Sequence, residues 1–515
     1  MSESIPASSP GADRPALECR YPIAVNAAVI LVTVMQLLDV TIANVALPHM
    51  QSSLGATMDT ISWVLTSFII AQVMATPVVG WLSDRMGSRN VFLGAVAGFL
   101  LSSMACGAST SLAEIVFFRI TQGICAAFIG PMSQTIMLDI NRPSKHSSAM
   151  SLWGIVVMVA PITGPMLGGF LTDTLNWRWV FYINVPMGIP VFIVLVWLLP
   201  SRPIVPRKLD RFGASVLALG LGTLQLLLDR GQQNDWLSSP EIVTEVIIAA
   251  SALWIFLVHT ATTKNPLFPG ELFKSPNFIA VFIFMFVLGV ANVAIASILP
   301  TMYQTVYNYS AFDTGMLMMP RGLGVLISMI LVGRVMERMD VRYLLCTGYI
   351  IAGFAMWKMS QWSIDMDRTP IMVTGLIQGL GLGLIFMPIN VAALSMLKPQ
   401  HRPDGTSLLN LMRNVGGSFG ISAIVTMLSR NTQTSHSDLA AHVTSFNLPS
   451  IDLASTTARL GEYGSAVLYA IDGEINRQAL MIAYIDNFYA MTFFIVAVAL
   501  SVLLLKPIRI KGNGK

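Results

Sequence analysis

Charge is scarce in this sequence. Asp, Glu, Lys and Arg make up 11% of its 515 residues, where soluble globular proteins carry about 25%. The scarcity is also uneven. No charged residue occurs from Tyr21 to Leu38, Asn90 to Ala113, Ser275 to Phe312 or Thr369 to Leu397. A formal net charge of +4 offers no basic face for nucleic acid. Cysteine is rare too. Cys19 sits in the N-terminal tail, and Cys106, Cys125 and Cys346 lie in apolar segments, where thiols act as small hydrophobes rather than a disulfide framework. His49, His146, His259, His401, His436 and His442 are scattered, with no metal-ligand or catalytic spacing. That argues against a metal centre, a resident cofactor and an intramembrane enzyme. The run GLGLG at 379–383 lacks the strand context and spacing of a nucleotide loop. Residues 1–22 have no apolar core and read as a flexible tail rather than a cleaved signal.

The charge-free gaps carry the positive content. A bilayer core takes about 20 apolar residues as a helix. Only internally bonded helices or closed barrels survive there, and the alternating pattern of a membrane barrel is missing. The expected fold is an all-α polytopic membrane protein. Fourteen spans are read near 23–48, 60–82, 91–109, 113–137, 148–172, 179–199, 212–228, 242–262, 277–300, 314–333, 343–362, 370–395, 405–428 and 486–505. An even number places both termini on one side. With the N-terminus in the cytoplasm, inner tails and loops hold 21 Lys and Arg, and outer loops hold 6. Positive charge collects on the inner side of membrane proteins, so both termini are expected in the cytoplasm.

The chain also repeats itself. GWLSDRMGSR (80–89) aligns with GRVMERMDVR (333–342) at an offset of 253. TQGICAAFIGPM (121–132) aligns with IQGLGLGLIFMP (377–388) at 256. Two matches in one order imply a duplicated bundle, an arrangement that secondary transporters use to bind substrate between halves. The expected domains are a tail at 1–22, a six-helix bundle at 23–211, two inserted helices at 212–264, a second six-helix bundle at 265–505 and a basic tail at 506–515. The polar stretch 430–485 reads as a long outer loop with one amphipathic helix, or as a docking surface.

Several motifs have a direct physical reading. Gly80 and Gly87 permit close approach and a tight turn beside Asp84, Arg85 and Arg89. Glu337, Arg338 and Arg342 recur in the second copy, where Asp340 replaces the second glycine. Pro161, Gly164, Pro165, Gly168 and Gly169 crowd the fifth span. Proline loosens a helix, and the Gly164–Gly168 spacing forms a small face for close packing.

GWLSDRMGSR resembles the signature loop between helices 2 and 3 of the major facilitator superfamily. RITQG (119–123) and APITGPMLGG (160–169) resemble its helix 4 motif and its helix 5 antiporter motif. LDVTIANVALP (38–48) and NWRWVFYINVPMG (176–188) are similar to signatures of its fourteen-helix drug:proton antiporters. The resemblance covers nearly the whole chain. It implies two pseudo-symmetric six-helix bundles with two inserted helices, and a cytoplasmic loop cluster that latches the outward-facing state. It further implies a bacterial inner-membrane exporter working with a periplasmic membrane-fusion adaptor and an outer-membrane channel.

The charges inside spans then matter most. From the span ends, Asp39 and Arg119 lie at similar depths, roughly 13 and 9 Å from the outer face, and helices 1 and 4 line the cavity in this superfamily. A carboxylate in lipid should face the interior and have a partner. Burial disfavours its charged form and a guanidinium favours it, and proton exchange needs that balance. Asp39 is thus a candidate for proton coupling, for cation recognition or for a purely structural hydrogen-bonded acid. Arg119 stays protonated and would tune Asp39. Gln36, Asn44, Gln122, Arg321, Asn410 and Arg413 are candidate cavity residues, and Lys358 reads as snorkelling. Asp139, Asp229 and Glu114 lie near span ends, so no second deep carboxylate is expected. The expected function is proton-driven export of hydrophobic or amphipathic compounds. The alternative is a dedicated exporter of one siderophore, fatty acid or metabolite. The expected partners are a small-molecule substrate, protons and membrane lipid.

Overall fold

The computed structural model describes residues 14–205, 208–274, 276–336, 339–395, 397, 399–442 and 462–502. Glu337, Arg338 and the tail 506–515 lie outside the described residues. Among the described residues there is no strand. The long helices are α1 (Pro22–Leu54), α2 (Trp63–Met86), α3 (Ser88–Ala108), α4 (Leu112–Ile140), α5 (His146–Thr174), α6 (Trp179–Leu198), α7 (Arg211–Arg230) and α8 (Pro240–Thr262). They continue as α9 (Pro276–Thr305), α10 (Ala311–Val335), α11 (Val341–Met359), α12 (Arg368–Ser395), α13 (Arg402–His442) and α14 (Glu462–Val502). Twelve helices among the described residues are long and apolar enough to cross a membrane. The other two long helices, α5 and α11, are not in that set; Arg342 and Lys358 sit near the two ends of α11.

Local chemistry sets several ends. Ser111 caps α4 by accepting from the Glu114 N–H at 3.3 Å, and Ser310 caps α10 by accepting from Asp313 at 3.0 Å. Pro77 sits in a 3-10 turn, Thr76–Val78, that interrupts α2.

The same neighbour scheme occurs twice. In the first half α1 packs on α5, and both α2 and α3 pack on α4. In the second half α9 packs on α13, and both α10 and α11 pack on α12. Small residues make the repeat physical. A Cβ on Gly123 of α4 would strike the Phe68 carbonyl of α2, and one on Gly379 of α12 would strike the Arg321 carbonyl of α10. These pairs stand at the sequence-repeat offsets, 256 for the glycines and 253 for their partners. The halves meet along α5 and α10, while α7 pairs with α8 and rests on α2.

Two expectations change. The stretch 430–485 is largely helix where described, because α13 runs on to His442 and α14 starts at Glu462. Polarity ends a membrane span but does not end a helix. The tail is also less free than expected. The Leu17 N–H donates to the Asp139 carbonyl at 2.9 Å, and Cys19 Sγ donates to the Leu198 carbonyl at 3.9 Å.

Candidate functional site

Asp39 lies inside α1 with a fully buried side chain, and so does its partner Arg119 on α4. Arg119 Nη1 donates to Asp39 Oδ2 at 2.6 Å. The other carboxylate oxygen accepts from Gln122 Nε2 at 3.0 Å and from Asn184 Nδ2 at 2.7 Å. Arg119 Nη1 also donates to Gln122 Oε1 at 2.9 Å, and its Nε donates to the Val64 carbonyl at 2.9 Å. The rings of Phe68 and Phe181 flank the guanidinium at 4.4 and 5.6 Å, a cation–π setting beside Nη2, which has no hydrogen-bond acceptor among the described residues. Asn184 is itself held, since its amide donates to Ser103 Oγ at 2.9 Å and Ser103 donates to the Phe181 carbonyl at 2.9 Å.

Three donors therefore converge on one enclosed carboxylate, brought by α1, α4 and α6. Removing one partner of such a buried pair costs about 3–5 kcal/mol. A proton arriving at Asp39 would do something equivalent. It would cancel the negative charge and leave the guanidinium without its counter-ion. Protonation would thus change the charge balance of the cluster that joins α1 to α4. Gln122 belongs to this cluster. Asn184 and Ser103 are additions that the sequence did not single out. The available signal was the polar residue in NWRWVFYINVPMG, which precedes Pro186 by two positions in an apolar run.

The second half also pairs an arginine with the position equivalent to Asp39, but brings it from a different helix. Arg321 stands at the offset of 253 from Phe68, and Asn292 at 253 from Asp39. Arg321 Nη2 donates to Asn292 Oδ1 at 2.9 Å. A neutral amide therefore occupies the place of the carboxylate.

A small polar cleft lies between the halves, one helical turn along α1 from Asp39. Gln36 lines it from α1, and Asn410 and Arg413 line it from α13. Asn44 is exposed and lies outside this lining, as do Arg321 and Gln122. The antiporter-type glycines pack next to the same helix. A Cβ on Gly164 would strike Thr41, and one on Gly168 would come within 3.2 Å of the Ile42 carbonyl. Lys358 is exposed, 4.9 Å from the Trp357 ring.

At the end that carries the basic loops, Gly80 is buried where a Cβ would strike the Asp404 carboxylate of α13. Gly87 has φ +84°, a backbone that other residues rarely adopt. Arg89 donates to the Val196 carbonyl, in the last turn of α6, and Arg85 lies over the Trp81 ring at 5.3 Å. Arg342 pairs locally with Asp340, at 3.1 Å. The described ion pair that joins the halves at this end involves other residues. Asp139, buried at the end of α4, accepts from Arg202 of the first half and from Arg402 of α13, the latter at 3.2 Å. Thr135 and Thr406 meet beside it at 3.0 Å, and Asn410 donates to Gln134 Oε1 at 3.0 Å. Asp139 is buried despite its place near a span end. Its neighbours come from distant loops, which a local reading does not connect.

Among the described residues no cluster of His, Cys, Asp or Glu has the make-up of a metal site. Two helical bundles enclosing a buried ion pair and an interior cavity define a polytopic membrane transporter. The chain belongs to the major facilitator superfamily, whose family model matches residues 29–421. It is 34% identical over 502 residues to the multidrug export protein EmrB of Escherichia coli K12, covering 97% of this chain and 98% of that one. It is 31% identical to the fatty acid resistance protein FarB of Neisseria gonorrhoeae, covering 96% and 99%. Among solved structures, the proton:xylose symporter XylE superposes with a TM-score of 0.59 at 12% identity, covering 92% and 95%, which shows the shared fold.

Proposed function

We propose that this chain is a substrate:proton antiporter that exports hydrophobic or amphipathic toxic compounds across a bacterial inner membrane. The observation that carries this reading is the enclosed Asp39 carboxylate, bonded by Arg119, Gln122 and Asn184 next to an interior cavity. In this account fourteen spans place both termini in the cytoplasm. Asp39 is ionised while substrate enters from the cytoplasm or inner leaflet. A proton from outside then breaks the Asp39–Arg119 pair and favours release and return. The Gly80–Arg89 loop, with the Asp139–Arg402 pair beside it, holds the cytoplasmic side shut between cycles. Gly164 and Gly168 let α5 slide closely along α1. The name of the EmrB relative supports a broad drug spectrum. The long outer ends of α13 and α14 suit contact with a periplasmic adaptor feeding an outer-membrane channel.

FarB supports a second reading, dedicated export of a fatty acid. A resistance profile of a deletion strain separates the two, since broad sensitisation favours drug export and sensitisation to fatty acids alone favours the second. The proton drive is tested in everted membrane vesicles with an amphipathic dye. Energised uptake should collapse when a protonophore dissipates the whole proton-motive force. Uptake that persists unchanged would contradict proton drive.

A further inference from the structure

The interior holds more positive charge than its own carboxylates answer. Arg119 is matched by Asp39, but Arg321 and Arg413 are matched by amides alone. Among the described residues neither of those two forms an ion pair. Among the described residues, Arg413 is the one ionisable residue lining the central cavity. Its Nη2 donates to Asn410 Oδ1 at 3.0 Å, and the Trp153 ring lies 5.9 Å from its guanidinium carbon. Asn410 is fixed in turn, because its own amide donates to Gln134 Oε1 and to the Thr406 carbonyl. The guanidinium is thus held in place by a neutral group with no carboxylate to neutralise it. Arginine does not shed its proton, and an unmatched charge in a membrane interior is costly. An incoming anion relieves that cost.

We propose that Arg413 receives the anionic head group of the exported compound, a carboxylate or similarly compact oxyanion on a hydrophobic tail. This rests on the export reading above and narrows its substrate class. Asn414 and Gln36 border the head group, while Leu37 and Val157 offer apolar wall to the tail. Because Arg119 neutralises Asp39, the anion does not face an unpaired carboxylate. The energetics also suit the pump. Sending an anion out while a proton comes in moves two charges in the sense that an inside-negative potential favours.

The test uses the full-length protein in phosphatidylcholine nanodiscs at pH 8, with 11-(dansylamino)undecanoic acid, its primary amide and the corresponding amine as probes. Hydrogen bonds to a charged group should make the acid bind about tenfold or more tighter than the amide. Arg413→Gln should erase that preference by weakening the acid far more than the amide, and Arg413→Lys should keep part of it. Equal binding of acid and amide by the wild type overturns the proposal, and so does an equal loss of both in Arg413→Gln. Adding phosphatidylglycerol distinguishes the source of the anion. Competition against the acid in the wild type, absent in Arg413→Gln, would assign the cavity to a lipid head group and overturn the exported-acid assignment. Export of the amide by everted vesicles separates the two levels. Amide export without acid preference overturns the anion site alone, whereas export of neither probe overturns the efflux reading as well.

Discussion

Asp39 accepts three hydrogen bonds, and the one from Asn184 is the most easily removed without touching a charge. Asn184→Ala takes away a donor at 2.7 Å and leaves Ser103 Oγ without it as well. Losing one bond to a buried charged group should lower stability by about 1–3 kcal/mol. Thermal unfolding of purified protein measures this, and an unchanged midpoint would show that the bond contributes nothing. Asp39 and Arg119 were legible in the sequence because a charge inside an apolar run is expensive and stands out. Their similar depth followed from the helical rise. Asn184 and Ser103 were not legible. A neutral amide or hydroxyl is tolerated in many helices, and only the packing of α6 against α1 and α3 gives these two a purpose.

The helices carry a second kind of constraint, backbone proximity. Gly164 sits where any Cβ would strike Thr41, two residues beyond Asp39. Gly94 on α3 has nothing within 4 Å of the same hypothetical atom. Gly164→Ala should therefore slow transport at least about tenfold by pushing α5 off α1, as overpacking typically costs 1–3 kcal/mol. Gly94→Ala should transport normally. Dye export at matched protein levels compares them, and normal export by Gly164→Ala would deny α5 its sliding role. Helix identity was readable from hydropathy at this scale, but helix length was not. The segment 430–485 looked like a loop because its polarity marks the membrane boundary. Nothing in a polar stretch prevents α13 and α14 from continuing past that boundary.

Across the whole molecule, the two halves differ at the position that holds Asp39 in the first. The repeat was visible in two motif pairs, and the Gly123 and Gly379 contacts give it a structural counterpart. The repeat offset already aligns Asn292 with Asp39, but only the structure gives that amide a partner, because Arg321 reaches it. Asn292→Asp should place an acid beside Arg321. Its transport should gain a second titrating step, read from export rate against pH. A profile identical to the wild type would show that the second half takes no part in proton handling. The joint between the halves at Asp139 and Arg402 was hidden for the same reason, since those residues are far apart in sequence.

In the proposed mechanism one carboxylate couples export to protons. Everted vesicles with an acidified lumen test it most directly, by recording proton release when substrate is added. Asp39→Asn keeps the side-chain shape and an acceptor oxygen for Arg119 but cannot cycle a proton. This variant should insert normally, bind substrate and give no substrate-induced proton release. Wild-type proton release from Asp39→Asn would contradict it.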